Sequence, residues 1–121
     1  MTDVRAVRVR LVWSDADSRD EELDDQILID LTINADGKSV GLMPAFGIYG
    51  SPERVEVYPF ILRMDGTVDY GNNSEVGDRF HEFNIRARPV KVGEYATYVD
   101  GNETWNYRII SVLDAATGLR V

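Results

Sequence analysis

The chain has no cysteine in its 121 residues. Disulfides, thiol nucleophiles, iron–sulfur clusters and cysteine-ligated zinc are excluded together. A cysteine-free chain fits the reducing cytoplasm, which is the expected location. Histidine occurs once, as His81. A catalytic role for it would need a nucleophile or a base partner, and no Gly-x-Ser-x-Gly elbow supplies one. Long apolar runs are missing too. None approaches the roughly 18 residues of a membrane span, and no apolar run follows Met1 to Arg5 as a signal peptide would require. Bases are scarce, 13 against 21 acids, for a net charge of −8. Phosphate contact needs clustered Lys and Arg, so no nucleic-acid partner is expected. The glycine segment Gly47-Ile48-Tyr49-Gly50 lacks the lysine and the strand–loop–helix setting of a phosphate cradle. No cofactor is expected.

Hydrophobic residues are not scarce. At 44% they are enough for a folded domain. A chain of this length forms one domain and buries roughly two-thirds of its unfolded surface. The clearest local pattern is a β-hairpin at residues 92–113. Two strand-like runs, 94–99 and 104–112, flank Asp100-Gly101-Asn102-Glu103. Asp, Gly and Asn tolerate the positive φ of a tight turn. The register places Val99 opposite Thr104, Tyr98 opposite Trp105 and Ala96 opposite Tyr107. One face then carries Ala96, Tyr98, Trp105, Tyr107 and Ile109. The other carries Tyr95, Thr97, Val99, Thr104, Asn106, Arg108, Ile110 and Val112. A hairpin is marginal alone and needs further strands to cover its apolar face.

The rest of the chain supplies them. Residues 6–13 alternate strictly, with Val7, Val9, Leu11 and Trp13 on one face and Arg8 and Arg10 on the other. In residues 26–34, Ile27, Ile29, Leu31 and Ile33 share a face. Residues 38–51 read as one short strand and a glycine-hinged loop. Residues 54–64 read as a strand in which Pro59 implies an edge or a bulge. Asp65-Gly66 is a turn leading to a strand at 67–70, residues 71–78 are a polar loop, and 79–88 form another strand. A short tail follows residue 113. The expected fold is all-β, with about seven strands and no long helix. It is a small antiparallel barrel (SH3-like or similar) or a two-sheet sandwich. The Val90-Lys91-Val92-Gly93 lead-in to the last hairpin is similar to SH3-like small barrels, a likeness of fold that implies no function.

Residues 14–30 hold eight acids and one base, which is −7 of the total −8. Residues 14–26 read as a solvated acidic loop, because Leu23 alone could anchor a helix there. Its acids are Asp15, Asp17, Asp20, Glu21, Glu22, Asp24 and Asp25. They do not match a calcium loop: counted from Asp15, the glycine position is Asp20 and the bidentate glutamate position is Gln26. Calcium binding is expected to be weak at most, and no metal site is assigned. Part of the run can neutralise Arg8 and Arg10. Asp65, Asp69, Glu75, Asp78 and Glu82 offer carboxylate pairs for glycoside hydrolysis only in the sense that many acids always do. His81 shares a face with Phe83 and Ile85 and reads as a hydrogen-bonded histidine at the core margin.

The expected function is a non-catalytic protein-interaction module, of the inhibitor or immunity type or an accessory domain. Its acidic segment would meet a basic protein partner. The partner-binding candidates are Asp15, Asp17, Asp20, Glu21, Glu22, Asp24, Asp25, Tyr98, Trp105 and Tyr107. Two alternatives stand beside it. One is a small-ligand site or enzyme with a pocket of Phe46, Tyr49, Tyr70, His81 and Trp105. The other is a homo-oligomer that pairs edge strands.

Overall fold

The computed structural model describes residues 4–14, 21–41, 43–51, 56–71 and 81–121, with the backbone alone at 21–24 and 51. Among the described residues nine strands form one antiparallel sheet: β1 (Val4–Ser14), β2 (Glu21–Asn34), β3 (Ser39–Val40), β4 (Ala45–Ser51), β5 (Glu56–Leu62), β6 (Val68–Asp69), β7 (His81–Phe83), β8 (Tyr95–Asp100) and β9 (Glu103–Asp114). Their order around the wall is β6-β5-β4-β2-β1-β9-β8-β7, and β3 pairs with β2 off that path. The two ends of the sheet meet. Thr67 bridges Glu82, and the Phe83 N–H donates to Gly66 O at 2.9 Å. The result is a nearly closed barrel, not a sandwich. The strands exceed the expected seven because β3, β6 and β7 are only two or three residues long. No α-helix occurs among the described residues, and no helix is long and apolar enough to cross a membrane.

Alternation fills the interior. Val7, Val9 and Leu11 of β1 are fully buried, as are Ile27, Ile29, Leu31 and Ile33 of β2 to within a few per cent. From β5, β7 and β9 come Phe60, Leu62, Phe83, Tyr107 and Ile109. The hairpin has the expected register: Val99↔Thr104, Tyr98↔Trp105 and Ala96↔Tyr107. Asp100 pairs with Glu103, so its loop is Gly101-Asn102, with Gly101 at φ 60°. On the outer face, Arg8 holds Asp30 through two bonds of 2.8 and 3.1 Å, and Arg10 bonds Gln26 at 2.7 Å.

Four expectations are corrected. Residues 14–26 are not all loop: Ser14 closes β1, and β2 begins at Glu21, with Ser14↔Glu21 and Trp13↔Glu22 in register. Pairing then jumps to Val12↔Gln26, so Leu23, Asp24 and Asp25 bulge from the ladder. Val112 is 4% exposed and belongs to the core. A second bulge makes the difference. Arg10 pairs with Ser111 but Leu11 with Ile109, so Ile110 is extra and the alternation beyond it shifts by one. The expected strand at 79–88 is described only as His81–Phe83. Asn84 ends it by accepting the Thr97 N–H at 2.7 Å on its side chain, and a 3₁₀ turn, Ile85–Ala87, follows. Residues 38–51 contain two strands, not one, since β4 runs seven residues.

Small residues on the inner face of β4 make room for aromatics. Gly47 faces Phe60 across the β4–β5 ladder. A Cβ there would lie 2.6 Å from Phe60 Cζ and 2.8 Å from Leu28 O. Pro59 pairs with Ile48 on β4, while β6 pairs only with Ile61 and Leu62. Among the described residues Pro59 therefore has no strand on its other side, which is where a residue without an N–H belongs.

Candidate functional site: an acidic, aromatic mouth

The registers gather Ser14, Glu21, Ser51, Glu56, His81, Asp100 and Glu103 at one end of the barrel. This end, the mouth, holds the strand ends that flank residues 15–20, 52–55 and 72–80. Inward-facing positions here change character. Below them the interior is aliphatic and phenylalanine. At the mouth the same alternation delivers tyrosine, histidine and aspartate. Asp25 continues the Ile27–Ile29 face, and Asp100 continues the Ala96–Tyr98 face.

Two hydrogen-bonded groups result. In the first, Tyr98 Oη lies 2.6 Å from Tyr70 Oη and 2.9 Å from His81 Nδ1. If Nδ1 accepts from Tyr98, Tyr70 donates to Tyr98; if Nδ1 donates, the chain runs the other way. Asp100 pairs with His81 across the β7–β8 ladder, its Oδ1 3.8 Å from Nδ1. In the second, Tyr107 donates to Asp25 Oδ1 at 2.8 Å. Tyr49 joins the two, with its ring stacked on Tyr98 at 6.0 Å between centroids. Tyr98 also meets Tyr107 edge-on at 6.3 Å.

Burial raises the pKa of Tyr70, Tyr98 and Tyr107 above the ordinary 10.0, because it disfavours the phenolate. Neighbouring charge adds to this, chiefly Asp25 for Tyr107. Tyr49 is raised for the same two reasons, burial first and Asp25 second. The tyrosines are therefore neutral hydrogen-bonding groups.

Above this layer lies a cavity of about 290 Å³. Its walls are Trp13, Tyr49, Trp105 and Tyr107, and its carboxylates are Asp25, Asp100 and Glu103. None of these lining residues is basic. The opposite end of the barrel has a larger cleft, about 760 Å³, walled by valines with Arg5 and Lys91 at its rim. Volume alone would choose it. Two of its polar groups, however, have structural work: Arg5 meets Asp114 at 3.3 Å, and Asn34 Oδ1 accepts the N–H groups of Asp36 and Lys38. Among the described residues no group of three or more His, Asp or Glu could hold a metal ion.

The sequence-derived candidates are distributed unevenly. Asp15, Asp17 and Asp20 lie outside the described residues. Glu21, Glu22 and Asp24 lie in β2, and Asp25 lines the cavity. Trp105 stands at the rim, 38% exposed. Tyr107 is 1% exposed and reaches the cavity from within, while Tyr98 is 4% exposed and lies behind Tyr49. Of the alternative pocket, Tyr49, Tyr70, His81 and Trp105 do gather at the mouth. Phe46 does not: it is 61% exposed on the outer face, because Ala45, Gly47 and Tyr49 take the inner positions of β4. His81 is 6% exposed and hydrogen-bonded. Asp65 caps its turn through Thr67, and Asp69 bonds Arg63 at 2.6 Å and the Gly71 N–H at 2.7 Å. Glu75 and Asp78 lie outside the described residues.

Sequence reasoning did not assign Asp100, Glu103 or Trp13 to a site. Asp100 and Glu103 have the look of turn residues, and Trp13 of core. Parity with Tyr98 and Leu11 was the available signal. No family model, no curated protein and no solved structure matches the chain.

Proposed function

We propose that this barrel is a non-catalytic interaction domain that offers its acidic mouth to a basic protein. The observation that carries the reading is the cavity at the mouth, where the described lining residues include three carboxylates and four aromatic side chains and none is basic. A closed apolar core needs no such layer. Among the described residues the core below it is uncharged, so the carboxylates are concentrated at the mouth. Glu21, Glu22 and Asp24 of the acidic run lie at the start of β2, at the same end.

Two physical effects would then act together. The summed negative field draws a basic surface in and orients it, an effect on association rate that salt screens over about 8 Å at physiological ionic strength. The aromatic walls supply contact area once the partner has docked. An inhibitor or immunity-type protein covering a basic active site would use both. His81 does not line the cavity and lies behind it, so the reading gives it a supporting role through Tyr98.

The test is kinetic. Against a basic protein partner isolated from the native host, Asp20, Glu21, Glu22 and Asp24 are changed together to Asn and Gln. Association should slow and lose most of its salt dependence, while dissociation changes much less. An association rate that stays the same at every salt concentration would sink the proposal.

A further inference from the structure

We infer that the mouth cavity is a cage for one arginine side chain of the partner. The inference rests on the proposed function and names what the mouth recognises. The size of the cavity comes first. At about 290 Å³ it lies at the bottom of the range of small-molecule pockets, roughly 300–1,000 Å³. That suits the end of a side chain better than a whole organic ligand.

The lining narrows the chemistry further. Two indole rings, Trp13 and Trp105, and two phenol rings, Tyr49 and Tyr107, line it; Trp105 is 38% exposed and Tyr107 only 1%. A cation over an aromatic face is attracted by the ring quadrupole, and tryptophan does this best. Asp25, Asp100 and Glu103 add formal negative charge in the same small space. An aromatic cage without acids would suit a fully methylated ammonium, which has no hydrogen to donate. Three carboxylates instead call for a cation rich in N–H groups. Guanidinium is planar, stacks on aromatic rings and carries five donors. Lysine offers three donors on a compact, strongly hydrated head that stacks less well. The Tyr107 hydroxyl, bonded to Asp25 Oδ1, fixes one carboxylate in place before any ligand arrives. Recognition therefore begins from an ordered site.

The chain carries its own reporter. It has two tryptophans, and both line this cavity. Tryptophan emission of the intact chain is followed while hexaarginine or hexalysine is added at constant salt. Ethylguanidinium and its neutral counterpart ethylurea are run as small probes. Hexaarginine should shift the emission saturably and bind about tenfold tighter than hexalysine. Ethylguanidinium should shift it and ethylurea should not. Glu103→Gln changes an exposed rim residue and keeps both reporters; it should weaken hexaarginine several-fold. Trp105→Ala, read through Trp13, should erase the preference for arginine.

If both peptides bind equally and Trp105→Ala changes nothing, the cage is wrong and the acidic-mouth reading survives. An equal response to ethylurea also overturns the cage. If neither peptide binds even at low salt, both readings fall.

Discussion

Tyr107 and Asp25 stand 82 positions apart in the chain and share a 2.8 Å hydrogen bond. It runs from β9 to β2 across the inside of the barrel, past β1, which lies between them in the wall. Hydrogen bonds to a charged group contribute about 1.5–3 kcal/mol. Tyr107→Phe should therefore lower stability by about that amount in urea unfolding. A double-mutant cycle with Asp25→Asn separates the bond from the ring. A coupling energy near zero would show that the two side chains act independently.

Alkaline pH gives a second test. Tyr70, Tyr98 and Tyr107 have folded values raised above the unfolded 10.0, each chiefly by burial. The folded state thus holds protons that the unfolded chain releases. Their contribution is fully present below pH 10 and is lost as pH rises beyond it. Stability should fall steeply above about pH 10, and the tyrosinate absorbance of these residues should appear together with unfolding, not before it. Early tyrosinate absorbance from the folded barrel, assigned to these three by Phe substitution, would contradict their burial.

Gly47 supports a third. Its missing side chain is the space that the Phe60 ring occupies. Gly47→Val should force that ring aside and cost about 1–3 kcal/mol by overpacking. The pair Gly47→Val with Phe60→Leu should recover part of the loss. No recovery would locate the strain at Leu28 O instead.

Trp105 and Phe83 make a fourth comparison. Both are aromatic residues on inward-facing positions, but Phe83 is fully buried and Trp105 is 38% exposed. Phe83→Ala should cost about 3–5 kcal/mol. Trp105→Ala should cost about 1 kcal/mol and leave the thermal transition cooperative. Equal losses would make Trp105 a core residue and remove the rim from the proposed cage.

The sequence carried the barrel wall better than its mouth. Period-two patterns identified the inner faces of β1, β2 and the hairpin, because water on one side and core on the other impose strict alternation. The same rule failed at Val112. The Ile110 bulge depends on how β9 meets β1, and β1 lies nearly a hundred residues earlier in the chain. It also obscured Asp25. A dense acidic run reads as solvated, so charge outweighed a parity that joined Asp25 to Ile27 and Ile29. Phe46 shows the converse: a large apolar side chain reads as core, yet its place in β4 turns it outward to 61% exposure. Composition reports what a segment prefers on average, and position in the closed sheet decides which residue is the exception.

The wall of this barrel is unequal around its circumference. β1 is in register with β2 at eleven positions and with β9 at seven. Among the described residues the closing seam consists of the Thr67–Glu82 bridge and the bond from Phe83 to Gly66 O. Local opening begins where few bonds must break at once. In geometry the molecule is a cylinder, but in its fluctuations it is a ribbon fastened by a clasp. The amide proton of Phe83 should exchange with solvent through release of that clasp, at a rate set by the seam alone. The amides of Val9 and Ile29 should wait for the whole ribbon to come apart.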